Sequence, residues 1–228
     1  MDAVPKFNNV HTIIFDIDGT LAETDDYMIA SVIQQFRKVV PFLKPRNLVG
    51  IIRFLVMTGE TIAGLFYWLL DLLSLDHHFS RISNQLANEK ESYRYGMVKA
   101  SPQVIEELSN NYNLAICTAG GALSAALFLR KYNLEKVFQV VVTAETCNRT
   151  KPSPLPLLYI SEILSTPVEN CLMVGDTIFD LIAAKRAGIR FIGVRSGFDS
   201  PFLLKLSGAD LIIDSVADLP ALLATGIS

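Results

Sequence analysis

Short apolar runs alternate with helical segments through the second half of the chain. Such runs occupy residues 114–117, 140–142, 171–174, 191–194 and 211–213. A run without polar alternation is buried on both faces, which is typical of a parallel sheet covered by helices on both sides. The run at residues 12–15 adds a first strand of the same kind. The pattern therefore predicts a doubly wound α/β fold.

Helix signals fill the gaps between these runs. Ser101 followed by Pro102 predicts an N-cap and a first helical residue. Further helices are predicted over residues 121–132, 154–164 and 178–187. Gly188 directly follows the last of these, and glycine is the residue that most often ends a helix in the left-handed conformation.

The alternation is interrupted between residues 22 and 97. Helical patterns there cover residues 25–40, 47–57, 61–75 and 79–95, with no strand of the core type. We expect an α-helical cap domain at 22–97, inserted into a core made of residues 1–21 and 98–228. The insert is large enough to act as a lid over the core.

The middle of the insert, residues 48–75, is unusually apolar. Residues 58–60 divide it into pieces of about 10 and 14 residues, shorter than the roughly 20 needed to span a bilayer, so no membrane span is predicted. The apolar helices could form the core of the cap, a homodimer surface or a pocket for an apolar substrate group. The sequence leaves these alternatives open.

Charge and cysteine content restrict the class of protein. The net charge of −3 argues against a nucleic-acid-binding surface, which needs a basic field. The three cysteines are widely spaced and favour a reducing compartment. The first residues carry neither a basic segment nor a long apolar run, so no signal peptide is visible and a cytoplasmic location is expected.

Polar residues follow four of the predicted strands. Asp16, Thr118 and Asp176 come at or just after the ends of apolar runs, and Lys151 lies in the loop after another. Ligands of parallel α/β sheets bind at the carboxyl ends of the strands, near the point where strand order reverses. The sequence therefore predicts one site at this edge of the sheet.

Asp16 and Asp18 form the most informative pair within that set. Two carboxylates so close repel each other and lose hydration on burial unless a cation compensates. Mg²⁺ prefers such oxygen ligands. One carboxylate can then act as a nucleophile while the other moves protons.

The motifs resemble those of haloacid dehalogenase superfamily hydrolases. The resemblance is carried by residues 15–21 (FDIDGTL), 116–120 (ICTAG), 150–154 (TKPSP) and 174–180 (VGDTIFD), and it extends over residues 11–220. The segments 193–198 and 209–214 are similar to the phosphoglycolate phosphatase-like branch, which also has a helical cap after its first motif. The branch usually has an aromatic residue where this chain has Ser196, and the neighbouring Arg195 could contact substrate or solvent.

The resemblance implies that Asp16 attacks phosphorus and forms an aspartyl-phosphate, while Asp18 protonates the leaving oxygen and later activates water. It also implies a Mg²⁺ ion held by the Asp16 carboxylate, the Asp18 backbone carbonyl and Asp176. Asp180 would be nearby, directly or through water.

For the phosphate, the resemblance implies that Lys151 supplies a positive charge. The Thr118 hydroxyl and the amides of Ala119 and Gly19 would bind the remaining oxygens.

The expected function is Mg²⁺-dependent hydrolysis of a small phosphorylated metabolite, such as a phosphoglycolate-type monoester. A phosphomutase or pyrophosphatase of the same superfamily, or a non-catalytic binding protein with the same fold, is the alternative. Haloacid dehalogenation is disfavoured, because a halide leaving group needs no general acid and Asp18 is present.

Overall fold

A six-stranded parallel sheet forms the centre of the protein. The computed structural model describes residues 7, 9–23, 96–98 and 101–224. Its strands are β1 (Thr12–Phe15), β2 (Ala22–Glu23), β3 (Gly96–Met97), β4 (Asn113–Cys117), β5 (Val140–Val142), β6 (Cys171–Gly175), β7 (Arg190–Val194) and β8 (Leu211–Ile213). Its α-helices are α1 (Ser101–Ser109), α2 (Ala122–Lys131), α3 (Leu155–Ile163), α4 (Ile178–Ala187), α5 (Pro201–Leu206) and α6 (Leu219–Ala224), with 3₁₀ turns at Val168–Asn170 and Val216–Asp218.

Strand order in the large sheet is β5-β4-β1-β6-β7-β8. The chain moves outward from β1 through β4 to β5, and then returns to β6 on the other side of β1. Phe15 at the end of β1 is in register with Ile116 of β4 and Val174 of β6. The carboxyl ends of these strands therefore share one edge, and the order reverses between β1 and β6.

Apolar side chains cover both faces of the sheet. Ile13 and Phe15 point into a cluster that contains Leu108 of α1 and Phe128 of α2. Ile14 points to the opposite face, into a separate cluster with Leu157 of α3 and residues of α4. Each fully buried side chain of this size contributes roughly 1.5–3 kcal/mol to stability. The predicted doubly wound architecture is confirmed.

The predicted core elements agree closely with the structure. The six strands match their apolar runs to within one residue. The predicted helix at 178–187 is α4, and Gly188 ends it with φ of 75° in the left-handed region. Helices α5 and α6 were not predicted, because each has only six residues and shows little periodicity.

A short antiparallel pair joins the two ends of the predicted insert. Ala22 is in register with Met97 and Glu23 with Gly96. The amide of Val98 donates to the carbonyl of Leu21 at 2.9 Å, so the residues that flank the predicted insert lie next to each other. The predicted cap helices lie outside the described residues, and the cap boundary stays a prediction. No helix in the described part of the chain is long and apolar enough to cross a membrane.

Candidate active site

Five polar side chains that the sequence placed in one site are buried at the carboxyl edge of the sheet. They are Asp16, Thr118, Lys151, Asp176 and Asp180, and none is more than 8% exposed. Burial of ionisable groups is costly unless they are paired or bind an ion. The concentration of such groups at one sheet edge therefore indicates a functional site.

Three carboxylates of this set converge. One oxygen from each of Asp16, Asp176 and Asp180 lies within 4.8 Å of the others. Asp16 follows β1 and Asp176 follows β6, so these two residues flank the point of strand reversal. Asp180 comes from the first turn of α4. The fold thus brings residues that are 160 positions apart in the chain into one acidic cluster.

Lys151 bridges two of the three carboxylates. Its Nζ lies 2.9 Å from Oδ1 of Asp16 and 2.5 Å from Oδ1 of Asp180. Burial by itself lowers the pKa of Lys151, but the charges of Asp16 and Asp180 outweigh burial and raise it well above its usual value. The ammonium therefore stays charged at neutral pH.

One ammonium does not balance three carboxylates. Burial raises the pKa of Asp16 to about 7, despite the opposing charge of Lys151. Burial, followed by the charges of Asp16 and Asp180, raises the pKa of Asp176 well above its usual value. Oδ1 of Asp16 is buried, and it forms an ion pair with Lys151 but no hydrogen bond of standard geometry with any described residue. This set of hard oxygen atoms fits Mg²⁺.

Both oxygens of Asp176 are held in place. The hydroxyl of Thr20 donates to Oδ1 at 2.9 Å, and the backbone amide of Phe198 donates to Oδ2 at 2.8 Å. Gly19 adopts φ of 78°, and a Cβ at that position would collide with the carboxylate of Asp176. Glycine is therefore required in the turn after β1, both for the backbone conformation and for the approach of Asp176.

Asp180 is fixed by the start of α4. Thr177 and Asp180 form a reciprocal capping box, in which the Thr177 amide and hydroxyl both donate to Oδ2 of Asp180 at 3.0 and 2.7 Å. Because Oδ1 of Asp180 contacts Lys151, both oxygens of this carboxylate are engaged. The capping box therefore aims Asp180 at the lysine.

Asp18 and Thr118 lie on another side of the site, around a cavity of about 30 Å³. Gly120 also lines this cavity, and its amide donates to the Thr118 oxygen at 2.9 Å, which leaves the hydroxyl proton for another acceptor. The carboxylate of Asp18 is not part of the acidic cluster. Burial raises the pKa of Asp18, which favours the protonated form that a general acid needs.

Two of the expected phosphate contacts rest on backbone amides. The amide of Gly19 donates to the carbonyl of Ala22 at 3.0 Å, so it is engaged within its own turn. Ala119 is exposed in the loop between β4 and α2. The proposed roles of both amides stay predictions.

The sequence reasoning missed three groups that support the cluster. Thr177 had a usable signal, since threonine three residues before an aspartate at a helix start is typical of a capping box. Thr20 lies within the first motif, but nothing local shows that it contacts Asp176. The Phe198 contact uses a backbone amide, which no side-chain pattern reveals.

Arg195 is exposed and pairs with Asp214 at 3.4 Å.

Comparisons with known proteins agree with this fold. The pyrophosphatase PpaX of Bacillus cereus (strain B4264) is 26% identical over 227 residues, covering 94% of this chain and 97% of that protein. A hydrolase from Pseudomonas syringae superposes with a TM-score of 0.68 at 24% identity, covering 96% of this chain and all of that one. A predicted phosphoglycolate phosphatase from Haemophilus somnus 129PT superposes with a TM-score of 0.64 at 21% identity. The superposition covers 95% of this chain and 98% of that one.

The family comparison covers most of the chain. Residues 13–194 match the family model described as haloacid dehalogenase-like hydrolase. The matched region runs from β1 to the end of β7 and contains all five buried polar residues of the site. The resemblance inferred from the four motifs is confirmed: this chain belongs to the haloacid dehalogenase-like hydrolases and is an enzyme of that family.

Proposed function

We propose that the protein is a Mg²⁺-dependent phosphatase that hydrolyses a small phosphate ester through an aspartyl-phosphate on Asp16. The observation that carries the proposal is the buried Asp16 carboxylate, which pairs with Lys151 and lies close to two further carboxylates at the switch point of the sheet. A structural ion pair does not require this surplus of buried negative charge.

In the first step, a carboxylate oxygen of Asp16 attacks phosphorus and the bond from phosphorus to the ester oxygen breaks. Asp18 gives its proton to the leaving oxygen, consistent with the raised pKa of its carboxyl group. In the second step, Asp18 takes a proton from water, whose oxygen attacks the same phosphorus. The bond between phosphorus and Asp16 breaks, and inorganic phosphate leaves.

The other residues bind and orient the phosphoryl group. Lys151 faces Asp16 and can offset the negative charge of both nucleophile and phosphate. The Thr118 hydroxyl can donate a hydrogen bond to a phosphoryl oxygen. When bound, Mg²⁺ supplies the charge that lets two anions approach each other. The residues that would hold it are Asp16, the Asp18 carbonyl and Asp176, with Asp180 contributing directly or through water.

Pyrophosphate hydrolysis is the second candidate. Curated relatives that match over nearly the full chain include proteins named pyrophosphatase. The same residues can serve this substrate, because a phosphoanhydride also breaks at a bond from phosphorus to oxygen. The leaving group would then be a second phosphate. Because phosphate is a good leaving group, protonation of the leaving oxygen by Asp18 would matter less for this substrate.

We also propose that residues 22–97 form a cap domain that covers the site and selects the substrate. The pairing of β2 with β3 supports this, because it brings both ends of the insert together beside the core. An enclosed site would exclude bulk water from the phosphorylated intermediate. A homodimer through the apolar cap and a cytoplasmic location stay predictions.

The direct test is phosphate release from a panel of phosphorylated metabolites and pyrophosphate in the presence of Mg²⁺. Asp16→Asn should lower turnover to below about 1% of wild type, because an amide does not attack phosphorus. Asp214→Asn is the matched control, because it makes the same chemical change at an exposed carboxylate outside the site. Activity in Asp16→Asn above that level, with deamidation excluded, would contradict the proposal. The rank order of substrates separates monoesters from pyrophosphate.

A further inference from the structure

The segment after β7 contacts both aspartate-bearing loops of the site. We call residues 196–199 the strap. The hydroxyl of Ser196 donates to the carbonyl of Gly19 at 3.0 Å, in the turn after β1. Two residues later, the amide of Phe198 donates to Oδ2 of Asp176 at 2.8 Å, after β6. The strap therefore ties together the loops that carry Asp16 and Asp176.

The strap lies directly against Asp176. A Cβ on Gly197 would collide with the carboxylate of Asp176, so only glycine permits this approach. Asp176 is itself fully buried. Its carboxylate is thus enclosed by Gly197 and Phe198 on one side and by the turn at Gly19 on another.

Asp199 anchors the end of the strap to helix α4. Its Oδ2 accepts a hydrogen bond from the amide of Ile178 at 2.6 Å. Ile178 is the first residue of α4, where amides have no acceptor within the helix. A carboxylate at this position is favoured by the helix dipole and forms a charge-assisted bond. Because α4 begins two residues after Asp176 and carries Asp180, this bond fixes the strap to the same element as the acidic cluster.

We propose that Asp199 is a positioning residue that sets the Mg²⁺ affinity of the site by holding the strap against Asp176. The inference rests on the proposed function, since it takes Asp176 to be a metal ligand. Groups that hold a ligating carboxylate by hydrogen bonds typically change metal affinity by 10- to 100-fold when they are removed. Asp199 does not contact the reacting atoms and acts through the Phe198 amide.

The test is Mg²⁺ binding to the purified full chain, measured by isothermal titration calorimetry without substrate. Asp199→Ala should weaken binding by about tenfold or more. Asp199→Asn should stay within about threefold of wild type, because its amide oxygen can still accept from Ile178. Asp210→Ala is the matched control, because Oδ2 of Asp210 accepts from the amide of Phe191 at 2.7 Å, the same kind of bond at the opposite end of β7. Its Mg²⁺ affinity should equal that of wild type.

The inference would be overturned if Asp199→Ala bound Mg²⁺ as tightly as wild type. It would also be overturned if Asp210→Ala lost as much Mg²⁺ affinity as Asp199→Ala. Either result would leave the proposed function standing. Absence of Mg²⁺ binding in the wild-type chain would overturn both. If Asp199→Ala does not fold, Ser196→Ala provides the second test, since it removes the bond to Gly19 from the other end of the strap. We expect a severalfold weaker affinity for Mg²⁺ in that variant, and wild-type affinity would refute the role of the strap.

Discussion

At the scale of single residues, Lys151 determines how far the acidic cluster is neutralised. Its ammonium contacts Asp16 and Asp180, while Asp176 is held only by hydrogen bonds from uncharged donors among the described residues. With all three carboxylates ionised, the cluster carries more negative than positive charge. This imbalance is tolerable in a site that binds a cation, and it costs stability when no cation is present.

The pH dependence of stability follows chiefly from the burial of Asp16, to which the neighbouring carboxylates add. The pKa of Asp16 is about 7 in the folded chain and near 3.8 in the unfolded chain, so the folded state binds the proton more tightly. Its contribution to stability is fully present below pH 3.8 and is lost as the pH rises to about 7. In EDTA, the wild-type chain should therefore lose stability over this window while Asp16→Asn does not. The melting temperature of Asp16→Asn minus that of wild type should increase as the pH rises.

Differential scanning fluorimetry across that window measures this difference. Asp214→Asn again serves as the control, since it makes the same chemical change at an exposed carboxylate outside the site. A difference between wild type and Asp16→Asn that is constant with pH would mean that the Asp16 carboxyl titrates normally.

At the scale of elements, the capping box of α4 links helix stability to the site. Thr177→Ala removes the cap of α4 and should cost about 1 kcal/mol in the free energy of unfolding. It also removes one of the two hydrogen bonds to Oδ2 of Asp180 and leaves the bond from the backbone amide. The carboxylate that contacts Lys151 is then held less firmly, so turnover should fall by more than the stability loss explains. Chemical denaturation and steady-state kinetics measure the two effects.

The chain contains a matched capping box away from the site. Ser215 and Asp218 form the same reciprocal contacts at the 3₁₀ turn before α6. Ser215→Ala should lower stability by a similar amount and leave turnover unchanged. Thr177→Ser keeps the capping hydroxyl, so both its stability and its turnover should stay close to those of wild type. Equal turnover in Thr177→Ala and Ser215→Ala would show that the α4 cap has no part in positioning Asp180.

Most of the fold and much of the site could be predicted from the sequence, because each core strand is a continuous apolar run and the residue after it is polar. Asp16 and Asp176 were found in this way. The contact of Phe198 with Asp176 was not predictable, because it joins a backbone amide to a side chain 22 residues away. The β2–β3 pair was also missed, since strands of two residues carry no periodic pattern.

At the scale of the whole molecule, parallel strand order gathers the buried carboxylates of the site at one edge of the sheet. Residues from β1, β6 and α4 meet only when the sheet is complete, and all three contribute a buried carboxylate. Mg²⁺ should therefore raise the melting temperature of the wild-type chain, because it binds the folded state alone. A melting temperature in Mg²⁺ equal to that in EDTA would contradict this account of the cluster.

Ca²⁺ provides a further test of the same site. It accepts more ligands with looser geometry than Mg²⁺, so it should draw both oxygens of Asp16 into coordination and block attack on phosphorus. We expect Ca²⁺ to stabilise the protein but inhibit phosphate release in competition with Mg²⁺. Full activity after dialysis against EDTA would refute the role of the metal.

The central claim is that Asp16 carries the phosphoryl group during turnover. Wild-type enzyme quenched in acid during turnover should contain one added phosphoryl group, located by mass spectrometry in the peptide that includes Asp16. Asp16→Asn should contain none. A phosphoryl group on another residue, or sustained turnover by Asp16→Asn with no adduct at this position, would contradict the claim.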